Sequence, residues 1–338
     1  MKNPIITALL AYGMSGKIFH APFLATNDGF ELYGVLERNS KKAVSDYPEI
    51  NSFDNIAALL ADPKIELVIV NTPNNLHFEH AKMVLDANKN LLLEKPATTN
   101  TADFQKLLEI AKNVDKKIFV YQNRRFSSDF LATKKVIASG KLGEIVEVHL
   151  RFDRYRTAIG TKVFKEDDVF GSGIFFDLGA HLIDQAISLF GRPSSFKVTK
   201  NRYRQHSKVD DFAFAQLIFD QKINVFITTS MLVLAPQAGI VIHGTKGSFV
   251  KNFCDQQEQQ LLDGMSTKNP AFGQEKPKND GILTFLNPEN QIITETVAPE
   301  KGDFNALFES VYDNLRFDKP FVVDNQDIIC QISILESL

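Results

Sequence analysis

The pattern of apolar and polar positions changes texture near Gln122 in this 338-residue chain. Before that point, short apolar runs recur at Ile5–Leu10, Leu67–Asn71 and Asn90–Leu93, with further strand-like stretches at Glu31–Glu37 and Lys117–Gln122. Such runs are too short for helices and read as strands of a parallel sheet, the continuous ones buried on both faces. Between them lie helical segments. One carries His80 to Ala87 behind the capping Asn74-Asn75, and another runs from Thr101 through Val114 behind Asn100. Strand and helix alternating at ~30 residues per unit predict a doubly wound parallel sheet.

After Gln122 a helix over Asp129–Ala138 is stopped by Gly140 and Gly143, and longer alternating runs follow. These are Ile145–Tyr155, Phe196–Arg204, Phe212–Phe219, Asn224–Met231, Ala238–His243 and Ser248–Val250. They predict a mostly antiparallel open sheet with one face available for packing. A helix from Ile174 to Phe190 interrupts the series, and Asp255–Asp280 reads as an exposed polar excursion. Phe304–Phe317 and Asp324–Leu338 read as closing helices. The expected fold is therefore an α/β Rossmann domain over residues 1–122 followed by an α+β domain over 123–338.

Composition changes this picture little. With 44% hydrophobic and 23% charged residues, the chain can bury ordinary cores. A net charge of −3 points to neither a nucleic-acid nor a membrane-surface partner. The two cysteines form no metal-ligand pattern and no disulfide framework, so no metal is expected and a reducing cytoplasm fits. No apolar run approaches the ~18 residues of a membrane span, and no signal-peptide core is expected at the start.

Candidate chemistry begins after the first strand, where Ala11-Tyr12-Gly13-Met14-Ser15-Gly16 nearly reproduces the G-x-G-x-x-G fingerprint. Its glycines let backbone approach a pyrophosphate at a helix N-terminus. Tyr12, Gly13, Met14, Ser15 and Gly16 are accordingly expected to hold a dinucleotide. The second strand ends at Glu37, where a ribose hydroxyl is usually bound, but Arg38 follows at once, with Ser40 close behind. An arginine fork there suits a 2′-phosphate and favours NADP over NAD. Thr72, Pro73, Asn74 and His77 follow the strand at Leu67–Asn71 and are expected near the same cofactor. Glu94 and Lys95 stand where the strand from Asn90 delivers them, at the end of the sheet that binds ligands. Asn123, just past the last strand, is a further cofactor or substrate contact.

In the second half, Asp177 and His181 are four apart on a helix, which places a carboxylate and an imidazole on one face. Asp184 extends that face by a turn. Gly179 costs the helix ~1 kcal/mol relative to alanine, so backbone or ligand is expected close by. Arg125, Arg154 and Tyr155, with Asn123, are expected to line a pocket for a polyhydroxylated ligand.

The glycine loop, Thr72-Pro73-Asn74, Glu94-Lys95-Pro96 and Asp177-Leu178-Gly179-Ala180-His181 occur in the order seen in the Gfo/Idh/MocA oxidoreductase family, which the whole chain resembles. The runs Tyr12–Pro22, Glu37-Arg38, Gln122–Arg125, Asp153–Tyr155 and His181–Gln185 look closer to its NADP-dependent scyllo-inositol dehydrogenase branch. The resemblance implies hydride transfer between NADP(H) and a secondary alcohol or ketone of a polyol or sugar. It further implies that Lys95, Asp177 and His181 sit against the nicotinamide and the reacting carbon, all three touching substrate. It also implies a homo-oligomer, dimer or tetramer, formed through the open sheet of the second domain. Two alternatives are the same scaffold acting on a tetrapyrrole or imine, and a non-catalytic NADP-sensing regulator.

Overall fold

The computed structural model describes residues 2–37, 40–160, 163–220 and 222–337. The chain forms two compact units. The first joins Met1–Gln122 to Glu258–Phe272 and Phe304–Ile329, and the second comprises Asn123–Gln257, Gly273–Asp303 and Cys330–Leu338. The leading segment of the first unit ends at Gln122. The expectation that 123–338 forms one uninterrupted domain is corrected, because two later segments return to the first unit.

The first unit is built on strands β1 (Ile5–Leu9), β2 (Phe30–Leu36), β3 (Asn51–Phe53), β4 (Leu67–Val70), β5 (Asn90–Leu93) and β6 (Ile118–Val120). They lie in the order β3-β2-β1-β4-β5-β6, every pairing parallel. Strand order reverses between β1 and β4, and ligands of such sheets bind outside the strand ends at that point. All four residues of β4 are buried, as a continuous apolar run requires. Asn100 caps the helix Thr101–Asn113 by accepting the Asp103 N–H. The returning helix Asn305–Phe317 supplies Phe308, which stacks on Phe23 at 5.4 Å and meets Phe30 edge-on at 5.9 Å. Phe23, Phe30 and Phe308 thus form one aromatic cluster.

The second unit holds β7 (Ile145–Asp153), β8 (Ser195–Asn201), β9 (Phe212–Phe219), β10 (Ile223–Ser230), β11 (Ile240–Gly244), β12 (Gly247–Lys251), β13 (Gly281–Leu286) and β14 (Ile292–Val297). Their order is β14-β13-β12-β11-β7-β10-β9-β8. β7 and β10 pair in parallel, and the other neighbours are antiparallel. One face packs Leu150, Leu217, Ile227 and Ile242 into a core with Leu182, Ile183 and Ala186 of the helix Ala180–Phe190. Period-two alternation puts Phe214, Ile218, Phe226 and Val241 on the other face. Among the described residues no helix is long and apolar enough to cross a membrane.

Candidate active site

Asn71, immediately past β4, joins the two central strands of the first unit. Its Oδ1 accepts the Ala11 N–H at 3.0 Å, and its Nδ2 donates to the Ala11 carbonyl at 2.8 Å. Ala11 lies two residues past β1, so this clasp fixes the start of the glycine loop at the point where strand order reverses. A Cβ on Gly16 would lie 2.2 Å from the Ala11 oxygen and 2.9 Å from Asn71 Nδ2, so only glycine fits there. A Cβ on Gly13 would meet no atom within 4 Å. Gly13 therefore flanks open space, as a loop that receives a pyrophosphate demands. Behind it a π-helical turn, Ser15–His20, runs into the α-helix Ala21–Thr26, with its positive end toward the loop. The first unit's own residues fit a dinucleotide.

Other expected cofactor contacts are placed differently. Glu37 is buried, and its carboxylate accepts the Ala43 N–H at 3.0 Å and the Ser52 hydroxyl at 3.4 Å. This corrects its expected role as ribose acceptor, because both oxygens face the unit's own polar groups. Arg38 lies outside the described residues, and Ser40 is exposed. The Tyr12 hydroxyl and the Lys17 ammonium both donate to Asp46 Oδ2, at 2.8 and 2.7 Å. Burial, then that bond, pushes the phenol well above its ordinary range. Met14 is exposed on the loop.

Pro73 and Asn74 lead into the 3₁₀ turn Asn74–Leu76, and the Thr72 hydroxyl is 3.0 Å from His80 Nδ1. His77 is fully buried, with Nδ1 2.8 Å from the Pro96 carbonyl and Nε2 2.8 Å from that of Thr72. Burial lowers its pKa against the pull of those carbonyls. The expected cofactor contact is corrected: His77 ties the end of β4 to the segment after β5, and neither ring nitrogen faces a ligand.

β5 delivers Glu94 and a half-buried Lys95, whose bond to Pro96 is cis. Ser15 Oγ and His20 Nε2 both meet Glu94 Oε1, at 2.5 and 2.8 Å. Burial alone would raise this carboxyl. The His20 bond and charge, the Ser15 bond and the Lys95 charge hold it down at about 2.

In the second unit, Asp177 lies in a π-helical turn, Phe175–Gly179, that precedes the α-helix bearing His181. π turns bond i to i+5, so the α-helical count that put Asp177 and His181 on one face does not run across this junction. Gly173 (φ +91°) admits the Asp210 carboxylate, which accepts the Phe175 N–H at 2.8 Å and seats the turn. At Gly179 the close neighbour is the Phe175 ring, 2.5 Å from where a Cβ would stand, so the glycine makes room for that ring. Lys165 Nζ donates to Asp177 Oδ1 at 2.7 Å, and Arg154 Nη1 stands 3.9 Å from Oδ2. His181 is 8% exposed one turn further on. Asn123 is buried in the 3₁₀ turn Asn123–Phe126. Tyr155 is exposed and bridges to Leu232.

Arg125 is a correction. Its Nε and Nη2 fork onto Asp184 at 2.7–3.1 Å, with both side chains buried, so it braces the helix rather than lining a pocket. Burial pushes Asp184 up, against the pull of that guanidinium.

Sequence reasoning missed three contributors, Asn71, Lys165 and His20. Asn71 was readable as a polar residue closing an apolar strand. Lys165 and His20 act on partners far away in the chain, as does the bond from Ser15 to Glu94, and only folding reveals them.

The profile described as "Oxidoreductase family, NAD-binding Rossmann fold" matches residues 7–122, and that of the GFO/IDH/MocA C-terminal domain matches 130–250. The uncharacterized oxidoreductase YhhX of Escherichia coli is 36% identical over 97% of this chain and 94% of its own. The scyllo-inositol 2-dehydrogenase (NADP(+)) IolW of Bacillus subtilis is 30% identical over 99% of this chain and 93% of its own. A solved oxidoreductase from Yersinia pestis superposes with a TM-score of 0.92 at 32% identity, covering 99% of this chain and 94% of that one. With matched profiles over most of its length and both expected sheets in place, the chain belongs to the Gfo/Idh/MocA family of NAD(P)-binding oxidoreductases.

Proposed function

We propose that the protein is a cytoplasmic, NADP(H)-dependent dehydrogenase that interconverts a secondary alcohol and a ketone on an inositol-like polyol or sugar. The observation that carries this reading is the polar cluster ahead of His181. There one carboxylate, Asp177, is held by Lys165 and approached by Arg154, so donors and an acceptor suited to vicinal hydroxyls surround it. The cofactor would supply or accept the hydride. His181 removes the hydroxyl proton in oxidation and returns it in reduction, the ordinary work of an imidazole near neutrality. Lys95 stabilises alkoxide character with its ammonium. Asp177 orients substrate hydroxyls. The preference for NADP rests on the inward-turned Glu37, the Arg38 that follows it, and the similarity to IolW. We extend the proposal to a homo-oligomer, in which the open face of the second unit's sheet packs on a second copy.

The test follows NADPH and NADH absorbance against a panel of inositols, aldoses and ketoses. Turnover with NADP(H) on a polyol is expected. Consumption only with imines or tetrapyrroles would reassign the substrate, and cofactor binding without any turnover would make the protein a sensor.

A further inference from the structure

Behind Lys95 stands a buried layer with no role in the reaction as proposed. Glu94 directs Oε2 at the N–H of Lys95 itself, at 3.2 Å, and gives Oε1 to both Ser15 and His20. That shared oxygen requires residues five apart to point the same way. In an α-helix, positions five apart diverge by about 140°. The π turn Ser15–His20 instead bonds i to i+5 and brings the two side chains onto one carboxylate. The distortion is therefore matched to Glu94. His20 is fully buried, with its ring 4.5 Å from Tyr121 and edge-on to Phe308 at 6.2 Å. Tyr121 is itself anchored through its hydroxyl to the Phe19 carbonyl at 2.9 Å. The imidazole cannot turn away without disturbing that aromatic packing. Glu94, the Tyr121 phenol and the charge of Lys95 are the titratable groups around this layer.

We propose that His20 is a positioning residue for Lys95: by holding Glu94 Oε1 from within the core, it fixes the carboxylate that links the cofactor loop, through Ser15, to the main chain of the catalytic lysine. The proposal rests on the reading above that Lys95 acts on the substrate. Glu94 is then a brace, and the glycine loop and the lysine move as one body. The ionised state needed for both hydrogen bonds agrees with the depressed titration of Glu94.

His20→Leu removes the donor and keeps the bulk. His20→Gln places an amide N–H near the position of Nε2, and His20→Asn falls short of it. Two readouts apply: steady-state kinetics with a polyol from that panel that the wild type turns over, and the ¹³C shift of the Glu94 carboxyl followed from pH 8 downward. His20→Leu should lose about 10- to 100-fold in kcat, as small misplacements of a catalytic group do, with NADPH affinity changed by less than about threefold. Its Glu94 should titrate above about pH 4, whereas that of the wild type should not. His20→Gln should recover most of kcat and His20→Asn should not, which keeps the test open if the leucine variant fails to fold. Wild-type kcat in His20→Leu, equal losses in the glutamine and asparagine variants, or an unmoved Glu94 titration would overturn the proposal. If the wild type turns over no polyol, the functional reading falls, and the Glu94 titration still decides whether His20 holds the carboxylate.

Discussion

Lys165 donates to Asp177 Oδ1 across 2.7 Å, joining the segment after β7 to the π turn ahead of His181. The next residue, Glu166, is gripped by the buried Arg204 at 2.8 Å, and Arg204 also donates to the Ala158 carbonyl at 3.2 Å. The lysine is thus delivered by a stapled segment. Replacing it as Lys165→Met should free the Asp177 carboxylate to reorient and lower kcat/KM by about tenfold, equivalent to ~1.4 kcal/mol. Because the ammonium is 40% exposed, thermal stability should barely change. Steady-state kinetics beside a melting curve would check both halves. A large loss of Tm with unchanged kcat/KM would contradict this.

Gly13 and Gly16 separate two meanings of a fingerprint glycine. A methyl group at Gly16 collides with backbone at 2.2 Å, so Gly16→Ala should cost stability and weaken cofactor binding by more than about tenfold. A methyl at Gly13 meets nothing in the protein. Gly13→Ala should therefore keep the wild-type Tm and still lose NADPH affinity, because only bound pyrophosphate would occupy that space. Fluorescence titration with NADPH, run with a melting curve, distinguishes the two variants.

Local sequence carried the parts of this fold whose cause is local. β4 and β5 were legible because strands buried on both faces must be apolar throughout, and Asn100 was legible because a cap acts within three residues. The destination of the helix Asn305–Phe317 was not, since an amphipathic face does not say which core it covers, and β13 and β14 hid beyond a polar excursion. The same limit governs the site. Lys95 and His181 could be placed on their elements, but His77 and Arg125 were misread because their partners, Pro96 and Asp184, lie 19 and 59 residues away. A polar side chain's role depends on which groups surround it after folding.

Arg125 and Asp184 supply a test of that point. Both are buried, and removing one partner leaves an uncompensated charge. Arg125→Met should destabilise the protein by about 3–5 kcal/mol, while Arg125→Met with Asp184→Leu should recover much of the loss. Urea denaturation of the single and double variants measures this. Equal destabilisation in both would show that the pair contributes geometry that a packed apolar replacement cannot supply.

Glu94 gives the fold a defined acid sensitivity. Its carboxyl is held at about 2, against 4.5 in its ordinary state, so the unfolded chain binds more protons between those values. The resulting stability, ~3 kcal/mol, is complete above about pH 4.5 and is lost as pH falls toward 2. Glu94→Gln cannot take up that proton. Its denaturation midpoint should therefore fall less steeply than that of the wild type between pH 5 and 3, and parallel slopes would refute the assignment.

The open face of the second unit's sheet bears on assembly. Phe214 and Phe226 stack there at 6.1 Å, Phe226 also meets His149 at 5.1 Å, and Val250 and Ile282 are exposed along the same register. On this face Glu147 pairs with His149 and Arg151 with Asp153, so these four charges offset one another before a second copy. A sheet face that combines exposed aromatic and aliphatic side chains with paired charges suits an isologous contact between two copies. Light scattering should find the wild type oligomeric and Phe226→Glu reduced to smaller species with its circular dichroism unchanged. A wild-type monomer at micromolar concentration would remove this face from any account of assembly, and an oligomer indifferent to Phe226→Glu would move the interface elsewhere.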